Sequence, residues 1–522
     1  MRKFFQTSTA DFSASIVVLL VALPLCLGIA LGSGAPLFSG IIAGIVGGIV
    51  VGILSGSHLS VSGPAAGLTV IVATAILKLQ VYESFLLAVV IAGVLQIVLG
   101  YIKAGVIGDY IPNSVIKGML AAIGLILILK QIPHFIGYDA DFDGDESFNQ
   151  ANQENTFTGI FKALNYITPV AAFIGMVSLV ILILWELPIL KKKKWLQVVP
   201  GPLVVVVVGT LLNEWFKTSN TYEALQSEHL VALPIATSFN GFVSFFTMPN
   251  WNAITNIDVW ITGFTLAIVA SLETLLGIEA VDKLDTLKRV TPPNRELKAQ
   301  GVGNIISGLL GGLPLTSVVV RSSANVAAGG KTKLSAIFHG ILMLLCVILI
   351  PVILNKIPLS ALAAILIFTG YKLAKFSLFS DYYKKGLDQF LPFIITIIAI
   401  LLTDLLKGII VGIGVGLFFM IRSNFHSAVL VVNDTNKFLF RFRKDVSFLN
   451  KPIIKKKLEE VPENSYVLID ATRADYIDKD IIEEVNNFLV HAHLKNITVE
   501  IKKSLYKPVH LLFKKPTKIE KL

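Results

Sequence analysis

Leu59-Ser60-Val61-Ser62-Gly63-Pro64-Ala65-Ala66 and Ser317-Val318-Val319-Val320-Arg321-Ser322-Ser323-Ala324 follow one plan: a short extended run, then small residues that can open a helix. Pro64 suits the first turn of a helix, where its missing N–H costs little. Each stretch leads into an apolar run too short to cross ~30 Å of hydrocarbon, which takes ~20 helical residues. The pattern predicts two half-helices that start inside a membrane, one in each half of the chain.

The rest of the sequence agrees with a membrane setting. Of 522 residues, 54% are hydrophobic and only 15% charged, and the mean hydropathy is +0.74. A soluble chain of this length needs a far more polar surface. Apolar segments run over residues 13–31, 37–54, 63–77, 84–102, 114–129, 167–184 and 198–212. After a polar stretch they resume over 257–278, 300–310, 319–328, 334–354, 359–373, 390–404 and 405–421. Seven segments, a break and seven more predict an α-helical polytopic membrane protein built as a 7+7 inverted repeat, because an odd number of spans turns the second half over. Inverted repeats with broken helices at the midplane are a recurrent transporter plan. The transmembrane domain is placed at 1–425, with repeat one about 11–215 and repeat two about 256–425.

The charges give the orientation. With the N-terminus inside, an odd–even walk puts the basic clusters Lys191–Lys194, Lys283–Arg289 and Lys372–Lys385 in the cytoplasm. The acidic loop 139–154, with Asp141, Asp143, Asp145 and Glu146, falls outside. This is the positive-inside bias of membrane proteins. It also accounts for the net charge of +10 without nucleic acid as a partner. Cys26 and Cys346 lie in apolar runs and imply neither a disulfide framework nor a Cys-rich metal site. His58, His339 and His426 show no metal-ligand spacing, and no nucleophile–base arrangement suggests an enzyme.

Two half-helices meeting head to head aim two N-termini at one spot. Each end carries roughly half a positive charge and several free N–H groups, which together make an anion site from backbone. Arg321 would add a full charge, and the hydroxyls of Ser62, Ser322 and Ser323 further donors. An arginine inside a span costs ~2.5–3.5 kcal/mol on insertion scales and calls for a reason. For Gly63, Ala65 and Ala66 the other reading is close helix packing. Glu273, inside the span that starts near Ile257, has two readings. It is a proton or cation site coupled to the anion, or a fixed partner that neutralises Arg321. Pro24 either opens the backbone of the first span towards the same centre or simply kinks it.

From about residue 433 the composition turns polar. Lys437-Phe438-Leu439-Phe440-Arg441-Phe442 alternates like a strand, and Tyr466-Val467-Leu468-Ile469-Asp470 reads as a buried one. Asp478 to Leu494 reads as a helix and Ile497 to Ile501 as a third strand, giving a small α/β domain over 433–502 and a basic tail over 503–522.

Four motifs then carry a resemblance over nearly the whole chain: Ser60-Val61-Ser62-Gly63-Pro64-Ala65-Ala66-Gly67, Ser271-Leu272-Glu273-Thr274-Leu275-Leu276, Asn294-Arg295-Glu296-Leu297-Lys298-Ala299-Gln300-Gly301, and Arg321-Ser322-Ser323-Ala324-Asn325. In this order they resemble the SulP inorganic anion transporters, the family that includes the animal sulfate, chloride and bicarbonate exchangers and prestin. The wording around Leu23–Ala30 and Glu279–Leu284 is similar to members fused to carbonic anhydrase, although this chain has no such domain. The resemblance implies core and gate domains, an elevator-type motion, usually a homodimer, and a STAS-like cytoplasmic tail open to a soluble protein partner. It implies an anion held by Ser62, Gly63, Pro64 and Ala65 on one side and Val320, Arg321 and Ser322 on the other, with Leu25 and Ile29 contributing from the first span. Glu273 matches the position used for coupling to a proton or cation.

Departures bear on the ion. Pro24-Leu25 stands where the family often has Pro-Gln, and Gly277 and Val319 stand where sodium-coupled relatives carry hydroxyls. Asp478-Lys479-Asp480 lacks the serine phosphorylated in soluble anti-sigma antagonists. The expected function is secondary transport of bicarbonate or sulfate across a bacterial inner membrane, with both termini cytoplasmic and no cofactor beyond a coupling proton or sodium. The alternatives are an uncoupled anion channel, and a membrane-anchored scaffold or sensor acting through the tail.

Overall fold

The computed structural model describes residues 2–141, 148, 154–187, 199–219, 224–235, 239–504, 506, 508 and 512–514. The Lys191–Lys194 cluster, Asp143, Asp145, Glu146 and most of the basic tail lie outside the described residues. The chain forms two compact units, Met1–Gly414 and Val415–Leu522.

In the first unit the first repeat comprises α1 (Arg2–Gly32), α2 (Leu37–Val46, carried on by a π turn to Leu54), strand β1 (Ser62–Pro64), α3 (Thr69–Leu79), α4 (Tyr82–Tyr101), α5 (Asn113–Phe135), α6 (Pro169–Trp185) and α7 (Gly201–Ser219). The second comprises α8 (Ile257–Leu284), α9 (Pro293–Leu310), β2 (Leu315–Ser317), α10 (Val319–Ala327), α11 (Leu334–Leu349), α12 (Leu359–Leu373), α13 (Leu387–Leu402) and the first part of α14 (Leu405–Ser427), a helix that continues into the second unit after Gly414. Among the described residues six helical stretches are long and apolar enough to cross a membrane alone, and five shorter ones are apolar. The shorter ones include the half-helix after β1, as the sequence predicts.

Packing follows the inverted plan. α1 packs on α11, and its counterpart α8 packs on α4; α2 packs on α11, and its counterpart α9 on α4. α5 packs on α12, while α5 with α13 mirrors α12 with α6. The helices therefore sort into one group of α1–α4 with α8–α11 and a second of α5–α7 with α12 and α13. At their centre β1 and β2 pair antiparallel, Ser62 opposite Ser317, Gly63 opposite Thr316 and Pro64 opposite Leu315. Antiparallel pairing is what two equivalent segments do when one repeat is turned over.

Three expectations need correction. Pro64 is not the first residue of a helix; it ends β1, and the helix opens at Ala66 with a 3-10 turn over Ala66–Leu68. A two-stranded ribbon tolerates proline at its end, where no N–H is required. The resemblance would start the second half-helix at Arg321; it starts at Val319, as the apolar segment 319–328 does, so Arg321 is its third residue. α9 begins at Pro293, seven residues before the expected start, with proline in its first turn. Hydropathy rejects Asn294, Arg295, Glu296 and Lys298, but Glu296 is fully buried because internal hydrogen bonds satisfy it.

Between the repeats the connector is tied to Asp139 after α5 and to Asn355 before α12. Asp139, after α5, accepts hydrogen bonds from His134 Nδ1 and His229 Nδ1, each at 2.5 Å. Four residues further on, Leu233 exchanges two bonds with the Asn355 side chain, at 2.7 and 3.0 Å.

The second unit holds a four-stranded sheet in the order β3 (Val429–Asp434), β4 (Lys437–Phe442), β5 (Tyr466–Asp470), β6 (Thr498–Lys502). β3–β4 is an antiparallel hairpin and the other pairs are parallel. Helices α15 (Lys451–Glu459) and α16 (Lys479–Ala492) make the crossovers. Phe440, Phe442, Val467, Ile469, Ile481 and Val485 fill its core. The sequence reading has β4, β5, β6 and α16 and lacks β3 and α15. β3 is only half-buried and follows α14 after a single residue, which hides the change of period.

Candidate binding site at the crossed strands

A cavity of about 40 Å³ lies beside the β1–β2 pair. One wall is Ala65, Ala66 and Gly67 from the first half-helix start, Thr316 to Val320 from the second, and Glu273, Leu276 and Gly277 from α8. The opposite wall is Met119 and Ile123 of α5 with Leu405, Leu406 and Ile409 of α14. The cavity thus sits where the group containing both half-helices meets the group containing α5. One wall presents backbone and a carboxylate; the other is apolar.

No side chain caps either helix start. The first bonds of the two turns are Leu68 N–H to Ala65 C=O and Ser322 N–H to Val318 C=O. The N–H groups ahead of them, Ala66 and Gly67 on one side and Val319, Val320 and Arg321 on the other, have no partner in their own turn, as at every helix start. Two sets of free donors with their dipoles meet at one small space.

The expected side-chain donors lie elsewhere. Ser62 Oγ accepts a 2.7 Å bond from Gln300 Nε2 on α9. Ser322 Oγ donates to Val318 C=O at 2.7 Å and accepts from Val61 N–H at 2.9 Å. Ser323 Oγ donates to Val320 C=O at 2.8 Å. Ser62 and Ser322 sew the two repeats together, Ser323 bonds within its own helix, and none of the three lines the cavity. Ser60 Oγ and Ser317 Oγ, 2.6 Å apart, add another stitch.

Arg321 is fully buried. Its Nη2 donates to Cys26 Sγ at 3.3 Å and to Pro64 C=O at 3.5 Å, while Nε and Nη1 have no hydrogen-bond partner among the described residues. The guanidinium occupies the space left by the missing side chain of Gly63: a Cβ there would lie 1.9 Å from Nη1. Glu273 relates in the same way to Gly67, where a Cβ would lie 1.8 Å from Oε1. Arg321 therefore spends its bonds on α1 and β1, and Glu273 faces the cavity from α8. Ala65 and Val320 line the cavity. Leu25 and Ile29 are buried but do not; Leu25 shares an apolar cluster with Val319 and Val320, and Ile29 one with Ala65 and Leu68.

Sequence reading missed the apolar wall. Met119, Ile123, Leu405, Leu406 and Ile409 look like any other span residues, and only the three-dimensional meeting of the two helix groups marks them.

A sequence profile of the sulfate permease family matches residues 9–399. The chain belongs to the sulfate permease family. Among its relatives, a Bacillus subtilis protein named "Putative sulfate transporter YvdB" is 26% identical over 79% of this chain and 73% of its own length. The "Bicarbonate transporter BicA" of Synechocystis is 25% identical over 79% of this chain and 69% of its own. Among solved structures, the transmembrane domain of a cyanobacterial BicA shares the fold with a TM-score of 0.54 and 22% identity, over 77% of this chain and 97% of that one. The structure of SLC26A9 matches with a TM-score of 0.66 and 16% identity, over 96% of this chain and 85% of that one. The protein is thus a multi-pass membrane protein with the fold of a permease, and the relatives it matches are named as transporters.

Proposed function

We propose that this member of the sulfate permease family is a secondary transporter of a small inorganic anion, bicarbonate or sulfate. The observation that carries the reading is the pair of uncapped half-helix starts facing one small cavity, with Arg321 buried behind them. Free N–H groups and helix dipoles favour an anion without selecting one, so the backbone leaves both ions open; the named relatives include a transporter of each.

The position of the cavity supports an elevator-type cycle. One helix group carries both half-helices, and the facing wall from α5 and α14 is apolar, a surface along which a loaded site slides without exchanging polar contacts. Glu273, on the mobile side of that boundary, is the residue we assign to coupling with a proton or sodium. In the proposed arrangement the protein is a homodimer in a bacterial inner membrane, both termini are cytoplasmic, and the C-terminal α/β unit is a STAS-like domain that meets a soluble partner.

The test is uptake of labelled bicarbonate and sulfate into proteoliposomes, with unlabelled chloride and dicarboxylates as competitors and with pH and sodium varied separately. Saturable, competitively inhibited uptake of one anion that follows a pH or sodium gradient is expected. Sustained ohmic current without saturation would replace the transporter reading with a channel, and no anion flux at all would overturn it.

A further inference from the structure

The motif Asn294–Gly301 has no place in the cavity, yet it starts a helix with a row of buried polar side chains. Glu296, Gln300, Asn304 and Ser307 are each at most 1% exposed and stand three or four residues apart, on one face of α9. Buried polar groups are costly unless fully bonded, so a row of four in a membrane helix has a use.

Their bonds go to the strands of the site. Asn304 holds the backbone of Leu315 in β2 at both ends: it accepts from Leu315 N–H at 2.7 Å and donates to Leu315 C=O at 3.0 Å. Its amide also donates to Gln96 Oε1 on α4 at 2.7 Å. Gln300 Nε2 donates to Ser62 in β1 at 2.7 Å and to Glu296 Oε1 at 3.0 Å. Ser55 Oγ receives the Ser57 N–H and passes its own hydrogen to Glu296 Oε2, at 2.5 Å. Among the described residues Glu296 is thus bonded at both carboxyl oxygens, by Ser55 and by Gln300. The Gln300 nitrogen that bonds Glu296 also faces Ser62. One helix therefore grips both strands, and each strand leads directly into a half-helix start.

We propose that Gln300 and Asn304, with Glu296 setting the direction of the Gln300 bond, are positioning residues of the anion site: they fix the register of β1 and β2 and thereby the aim of the two sets of N–H donors. The inference rests on the assignment of the anion to the half-helix starts. Loosening either grip leaves the machinery of movement intact and spoils the aim, so the loss falls on affinity.

The experiment measures uptake kinetics and anion-dependent thermal stabilisation, with bicarbonate and sulfate as probes, for Asn304→Ala, Gln300→Ala and Glu296→Gln. Ser307→Ala is the control, because its hydroxyl donates to Leu313 C=O at 2.7 Å, outside the strands. The expected result is a KM raised about tenfold for Asn304→Ala and several-fold for the other two, with Vmax held within about twofold. Ser307→Ala is expected to lower thermal stability and leave KM unchanged. If Asn304→Ala does not fold, Gln300→Ala and Glu296→Gln carry the test. Hydrogen exchange over residues 60–67 and 315–321 is expected to quicken in each folded variant. Lower thermal stability with wild-type KM in the three ladder variants would overturn the proposal and make the ladder structural. Failure of the site assignment looks different: the wild-type protein would then show neither anion-dependent stabilisation nor saturable uptake.

Discussion

Around β1 glycines make room for charged side chains, whereas the second repeat supplies those side chains and also uses Gly277 to pass close to the Ser317 carbonyl of β2, 2.5 Å from where a Cβ would lie. In the first repeat Gly47 of the π turn lets α2 lie against the Ser62 carbonyl, where a Cβ would come within 2.3 Å. Gly63 makes room for a guanidinium and Gly67 for a carboxylate. In the second repeat Arg321, Asn304, Gln300 and Glu273 supply the charge and the bonds. The two repeats share a topology, and their strands pair as near-equivalents, yet the charges that enter the spaces at Gly63 and Gly67 come from the second repeat. The pairing thus needs the repeats to match in backbone only; the side chains have divided the labour.

The sharpest test of that division removes the filling. Arg321→Ala deletes a buried charge from the second repeat, and anion uptake (kcat/KM) is expected to fall about 100-fold or more, near 3 kcal/mol. Uptake within about threefold of wild type would break the comparison at its centre. Adding to the first repeat comes next. Gly63→Ala drives a methyl into the Arg321 guanidinium, and a loss of about tenfold is expected. Because the displaced group is the end of a long side chain, the fold survives, so the two readouts separate. Gly47→Ala instead meets backbone, which cannot swing away. Overpacking of this kind costs about 1–3 kcal/mol, read as a lower melting temperature. An unchanged melting temperature would show that α2 has slack the glycine does not reveal.

The smallest effect concerns the Asp139 clasp, which joins the first repeat to the connector. Burial would raise the Asp139 carboxyl, but its bonds to His134 and His229 outweigh this and hold it below the ordinary aspartate range. The bond to Asp139 in turn raises His229 above the usual 6.5, more than burial lowers it. The contribution of His229 is therefore complete below about pH 6.5 and is lost as pH rises through the raised value. That of Asp139 is lost only when pH falls through its depressed value. His229→Ala is expected to lower stability by roughly 1–2 kcal/mol near pH 6. The gap from wild type should narrow as pH rises past the His229 titration. A gap that stays constant with pH would mean the clasp holds through packing alone.

Much of this architecture is legible in the sequence. Apolar segments mark most of the helices, and the two small-residue stretches locate the crossing point before any coordinates exist. The start of α9 was not legible, because a hydropathy window treats Glu296 and Arg295 as costs and cannot see Ser55 and Gln300 waiting to satisfy a carboxylate. The sequence offers Ser62 and Ser322 as donors to an anion, but it cannot show which way a side chain faces; both turn towards the scaffold. The apolar wall from α5 and α14 was invisible for the opposite reason, since nothing local separates Met119 or Ile409 from a lipid-facing residue.

The stitch between Ser60 and Ser317 joins residues 257 positions apart. At ribosomal speeds of ~5–20 residues per second, roughly 10–50 s pass between the synthesis of one partner and that of the other. For that interval the first strand is in the bilayer with its pairing edge open, and β1 has no ladder partner. Birth of the protein thus includes a waiting period, in which the nascent first half depends on its glycine-packed helices, or on the insertion machinery, to keep an unpaired strand from lipid.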